Sequence, residues 1–150
     1  MSQRGGSGVT YVKYGEAVYS PVIEVGEADV LVAFEELEAA RWLPYLREDG
    51  TMIVNTQQIL PMPVITGAMD YPRQLIDKLK GKVRQLYAVD ALTEALRAGS
   101  AKAVNIVLMG VLSKRMEFRL EDWETALEQV VPKRFLELNQ QAFALGRALI

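Results

Sequence analysis

Val30-Leu31-Val32-Ala33-Phe34 is an unbroken apolar run bracketed by Asp29 and Glu35, and it constrains the fold more than any other stretch. Continuous apolarity suits a strand covered on both faces, as in a sheet sandwiched between helices, whereas a half-solvated strand would alternate. Met52 to Val54 and Leu86 to Val89 repeat the signal. Between them lie segments of helical character. Leu37, Ala40, Trp42 and Leu43 predict a short helix that bends or ends at Pro44, and Leu75, Ile76 and Leu79 predict another after Pro72.

Beyond Asp90 the pattern is helical. Leu92, Ala95 and Leu96 mark one amphipathic face, and Ala103 to Leu112 is apolar nearly all round, as a buried helix would be. Trp123, Ala126, Leu127 and Val130, and then Phe135 to Ile150 after Pro132, recur at helical spacing. At the other end, Val9 to Tyr14 and Val18 to Ile23, joined by Gly15-Glu16-Ala17, predict an antiparallel hairpin. The expected fold is therefore a three-layer α/β/α sandwich, mainly parallel, with an attached hairpin and a helical C-terminal part. With 150 residues, half of them apolar, residues 1–150 form one domain with one sizeable core.

Several function classes drop out. The formal charge is −2, so no long-range field draws in nucleic acid or an anionic membrane. Cysteine and histidine are both absent. The chain thus lacks the usual zinc and iron–sulfur ligands, the commonest base near neutral pH, and every Ser-His or Cys-His nucleophile pair. No residue is assigned a catalytic or metal-binding role. With no spanning-length apolar stretch and no signal-peptide pattern, the reading is a cytoplasmic protein.

Ser2, Gln3, Arg4, Gly5, Gly6 and Ser7 are the sharpest candidate site. Glycines let backbone amides approach an anion, and a guanidinium adds a fixed fork of donors. Taken alone, the triplet Arg4-Gly5-Gly6 reads equally as a tight turn with a solvated arginine. Asn55, at the carboxyl end of a strand, is placed where open α/β sheets bind ligands, with a plain turn as the alternative. Glu35 and Glu36 follow another strand end and are expected in the first turn of a helix, at its positive dipole end. Asn105, inside the apolar run Ala103 to Leu112, is expected to be buried and clamped to neighbouring backbone. The loop from Thr56 to Pro72, with Pro61, Pro63 and Gly67, is long enough to suggest a role of its own, and reads equally as a plain crossover connection. Lys114, Arg115 and Arg119 are expected to be solvated.

The Ser2–Ser7 block, the Val-containing segment behind it, Tyr19-Ser20-Pro21 and the run Asp29 to Glu35 together resemble the gamma-type subunits of the 2-oxoacid:ferredoxin oxidoreductases, especially the indolepyruvate branch. The resemblance covers nearly the whole chain. It implies an accessory subunit of an enzyme that decarboxylates a 2-oxoacid, here an aryl pyruvate such as indolepyruvate, on thiamine diphosphate. Electrons then pass through iron–sulfur clusters to ferredoxin, and the acyl group leaves on coenzyme A. Thiamine and clusters would sit on a larger partner subunit. Ser2 to Ser7 would face the shared site, with Arg4 offering charge to a phosphate or carboxylate and coenzyme A contact left open. A homodimer is also compatible.

Family members carry a glycine-rich Gly-x-Gly-Gly-x-Gly unit ahead of the Ser-Gln-Arg-Gly-Gly block, and this chain begins at the block. The expectation is an apolar edge that another chain or segment must cover. Two other readings stay open: a stand-alone module binding a nucleotide- or coenzyme-A-like anion, and an interaction subunit with no ligand.

Overall fold

The computed structural model describes residues 8–150. Three strands, β1 (Ala28–Ala33), β2 (Leu46–Asn55) and β3 (Gln85–Val89), form one sheet in the order β1-β2-β3. Both pairings are parallel, with Val32 opposite Ile53 and Ile53 opposite Tyr87. β2 is longer than the Met52 to Val54 run suggests, since Leu46 to Gly50 is extended as well. The ladder slips there: Ala28 faces Leu46 and Val30 faces Thr51, so Asp49-Gly50, a dipeptide that commonly marks a turn, sits at an irregularity inside a strand.

Period-two alternation sorts the strand residues onto two covered faces. Val30, Val32, Ile53, Tyr87 and Val89 look toward α4 (Ala91–Ala98), α5 (Val104–Ser113) and α7 (Lys133–Arg147). Leu31, Ala33, Met52, Val54, Leu86 and Ala88 look toward α1 (Glu36–Trp42) and α3 (Leu75–Lys80). The expected three-layer sandwich is present, which is why these strands read as continuous apolar runs. Two further helices, the single turn α2 (Met62–Ile65) within the long loop and α6 (Leu120–Val130), complete the α-helices among the described residues. None of the helices is long and apolar enough to cross a membrane.

The helical layer depends on two glycines. A Cβ at Gly146 would lie 2.0 Å from the Val107 carbonyl oxygen, and one at Gly110 would lie 2.2 Å from that of Phe143. Helices α5 and α7 therefore touch backbone to backbone, an approach that any side chain would prevent. Around this contact Val107, Leu108, Val111 and Ala142 are fully buried.

Two expectations are corrected. Val9 to Tyr14 and Val18 to Ile23 form no strands; the segment is irregular. Its β-forming side chains bury no shared face: Val9, Val12, Tyr14, Val18 and Val22 are exposed and Tyr19 is 98% exposed. An unsupported two-stranded hairpin is marginal in water, so propensity alone does not form one. What holds the segment is tertiary contact, with the Tyr14 ring 5.4 Å from that of Phe118 and Lys13 Nζ 3.7 Å from Glu27. Asn105, in turn, is exposed, and its side-chain oxygen accepts the neighbouring Ile106 amide at 2.9 Å. It lies in the first turn of α5, one turn before the exposed Met109, so the apolar run is not buried all round.

Candidate functional site

The carboxyl ends of the three strands form a crest held together by two side chains, Asn55 and Glu35. Asn55 closes β2 and is fully buried. Its Nδ2 donates to the Phe34 carbonyl at 3.1 Å and to Gln57 Oε1 at 3.3 Å, while its Oδ1 accepts the Ala91 amide at 3.1 Å. Phe34 follows β1 and Ala91 opens α4 just after β3, so one amide side chain ties all three strand ends. A buried amide must be satisfied, and Asn55 is satisfied within the fold. It shapes the crest from beneath.

Glu35 is the cap of α1. Its Oε2 accepts the Glu38 amide at 3.1 Å, as the expected position at the positive end of that helix requires. It is also 5% exposed, and its other oxygen reaches into the long loop, accepting the Ile59 amide at 3.4 Å and the Tyr71 hydroxyl. Beside it the buried Glu36 accepts from Gln58 Nε2 at 3.2 Å. The loop from Thr56 to Pro72 is thus fastened near both ends to the first turn of α1. Burial, followed by the hydrogen bond and charge of Glu35, pushes the Tyr71 hydroxyl pKa well above its usual value, so Tyr71 stays the neutral donor and Glu35 the acceptor.

Sequence reasoning singled out Glu35, Glu36, Asn55 and this loop separately. It missed Tyr71 and Gln58 as their partners, because the contacts span 36 and 22 residues. A buried acid at a strand end, opposite an aromatic hydroxyl next to Pro72, was the available signal. The candidates Ser2, Gln3, Arg4, Gly5, Gly6 and Ser7 lie outside the described residues. Lys114, Arg115 and Arg119 are all exposed, as expected; Arg119 also lies 3.4 Å from Asp122, and Arg115 lies 5.3 Å over the Tyr87 ring.

The described crest has no cationic side chain among its bonded groups, and two buried carboxylates lie there, a poor setting for a phosphate. Among the described residues no group of three or more acidic, histidine or cysteine side chains could hold a metal. A shallow cleft of about 820 Å³ lies at the opposite, amino ends of the strands, lined by Lys13, Glu27, Arg47, Glu48, Asp49 and Arg84. Most of its charges pair within it: Arg47 lies 2.6 Å from Asp49 and Lys13 lies 3.7 Å from Glu27. That cancellation leaves little field to select a ligand of either sign.

Residues 1–149 match the family described as pyruvate ferredoxin/flavodoxin oxidoreductase. The chain is 37% identical over 153 residues to the indolepyruvate oxidoreductase subunit IorB of Thermococcus kodakarensis, covering 97% of this chain and 75% of that protein. Against the IorB subunit of Pyrococcus horikoshii it is 35% identical with the same coverage. Among solved structures, the gamma subunit of a keto/oxoacid ferredoxin oxidoreductase from Geobacter sulfurreducens superposes with a TM-score of 0.61 at 23% identity, covering 83% of this chain and 64% of that one. The pyruvate oxidoreductase subunit PORC of Thermotoga maritima gives 0.59 at 22% identity with the same coverage. These superpositions establish the fold; the chain spans less than two thirds of either solved chain.

Proposed function

The chain belongs to the pyruvate ferredoxin/flavodoxin oxidoreductase family, and from that membership we propose that it is the gamma-type accessory subunit of a 2-oxoacid:ferredoxin oxidoreductase acting on aryl pyruvates of the indolepyruvate kind. The observation that carries this reading is the combination of similarity to indolepyruvate oxidoreductase subunits over 97% of the chain with a residue inventory that holds neither cysteine nor histidine. Such a chain lacks the thiolates for an iron–sulfur cluster and an imidazole for proton transfer near neutral pH. In this reading thiamine diphosphate and the clusters, for which this chain offers no thiolate, are carried by a larger companion subunit, which passes electrons to ferredoxin in the cytoplasm.

This chain's share is to complete the wall of the companion's site. The described crest does not fit an anionic coenzyme, so any coenzyme A contact rests on Ser2 to Ser7, with Arg4 as the charged group. Asn55 contributes by fixing the strand ends that border the site.

The test is co-expression with the larger thiamine-dependent chain. The expected results are a stable complex that reduces ferredoxin with indolepyruvate in preference to pyruvate, and no turnover by either chain alone. Turnover by this chain alone, or no association with such a partner, would refute the proposal. Replacing Arg4 by alanine is expected to raise the KM for coenzyme A about tenfold, the scale of one charge-assisted hydrogen bond, with the melting temperature unchanged. Unaltered kinetics would remove Arg4 from the site.

A further inference from the structure

The loop between β2 and α3 carries an unusual composition on an unusually firm support. Residues 56–69 contain no charged side chain, in a protein that is 24% charged. Their large apolar side chains face outward: Ile59, Leu60, Met62, Ile65 and Met69 are all exposed, and Phe34 beside them is 49% exposed. All but Phe34 lie on one stretch of the loop, residues 59–69, and that loop is bonded beside Phe34. Ile59 is bonded through its amide to Glu35, next to Phe34, and the Met69 amide donates to the Pro63 carbonyl at 3.0 Å, folding the loop back across α2.

An exposed apolar group normally collapses inward or stays mobile. Here the carboxylates of Glu35 and Glu36, with Tyr71 and Gln58, anchor the loop from below, so its apolar side chains have no route to the core. Six such side chains, about half exposed, offer roughly 500–600 Å² of apolar surface, the range of the largest patches on soluble monomers. It is most of the ~800 Å² that one side of a standard protein interface uses. Absence of charge and enrichment in methionine are the marks of an interface centre.

We propose that the surface formed by Phe34, Ile59, Leu60, Met62, Ile65 and Met69 docks an uncharged apolar face of the larger catalytic subunit, on the rim of the site that the two chains share. This rests on the accessory-subunit reading. Charge decides the class of occupant, since a surface with no formal charge offers nothing to a polyanion or to a charged peptide and requires an equally uncharged counterpart. Position decides between companions. The loop rises from the carboxyl ends of the strands, where open sheets take ligands; a second copy seated there would cover both crests, whereas the larger subunit would close its own site against this one and exclude water from the join.

The experiment uses the co-expressed complex and the double substitution Met62→Glu, Ile65→Glu, with Val130→Glu as control, since Val130 is 75% exposed on α6, away from the loop. The double variant is expected to weaken association with the larger subunit at least 100-fold while Val130→Glu stays within threefold. Hydrogen exchange on the unmutated pair is expected to slow at residues 59–69 upon complex formation, which keeps the inference testable if the double variant folds poorly. Association within threefold of the parent, or no protection of residues 59–69, would overturn the proposal. So would a double variant that loses only self-association. If the unmutated chain does not bind the larger subunit, the accessory-subunit reading fails first and this surface assignment with it.

Discussion

Replacing Tyr71 by phenylalanine removes one hydroxyl and leaves the ring, so it isolates the fastening between the long loop and Glu35. A hydrogen bond to a charged acceptor contributes about 1.5–3 kcal/mol. Because Tyr71 is only partly buried, the low end applies, about 1.5 kcal/mol, or roughly tenfold in the equilibrium for lifting the loop. The remaining bond to the loop from Glu35, to the Ile59 amide, is long at 3.4 Å and cannot compensate. Native-state hydrogen exchange resolves the effect by position. The Ile59 amide is expected to exchange about tenfold faster in the variant. The Thr56 amide, bonded to the Val89 carbonyl at 2.9 Å in the sheet, should be unchanged.

The pH dependence has a defined sign. Tyr71 has a folded-state pKa raised above its ordinary 10.0, so its contribution is complete below pH 10 and is lost as the pH rises from there toward the folded-state value. The advantage of the parent over Tyr71→Phe should therefore shrink above pH 10. Equal exchange at Ile59 in both proteins, or a uniform acceleration at every amide, would refute the idea of a local fastening.

Two further substitutions probe the support. Gly146→Ala gains about 1 kcal/mol of helix propensity, but its Cβ meets the Val107 carbonyl at 2.0 Å, so α5 and α7 must separate. A net loss of about 2 kcal/mol is expected, a fall of about 4–8 °C in Tm by calorimetry, and an unchanged or higher Tm would contradict the contact. Asp90 caps α4 by accepting the Thr93 amide at 3.1 Å and its hydroxyl at 2.6 Å. The bond from the Thr93 hydroxyl and then that from its amide hold the Asp90 carboxyl below its ordinary 3.8. Asp90→Ala is expected to cost about 1 kcal/mol in denaturant titration at pH 7, a difference that fades as the pH falls below 3.8 because protonation then removes the same bonds. A difference independent of pH would refute the cap.

β1 and β3 were legible because a strand covered on both faces leaves an unbroken apolar run. Glu35 was legible as a helix cap because that role is local to the chain. Val9 to Ile23 was misread for the converse reason: Val, Tyr and Thr advertise extended backbone, but a strand needs a neighbour, which residue preference does not supply. Asn105 was misplaced because an apolar run hides which side of a helix faces out; Asn105 and Met109, four residues apart, share the outward stripe. The pairing of Glu35 with Tyr71 joins residues 36 positions apart and depends on how a proline-rich loop returns, which no local periodicity encodes.

Asn55 has a consequence for how the crest responds to load. Since Phe34, Asn55 and Ala91 meet at a single carboxamide, a push on any one exit from the sheet is shared by the other two. Pressure from a docking neighbour on Phe34 would be felt at the start of α4, so the rim should yield as one piece, like a keystone and its flanking blocks, rather than loop by loop.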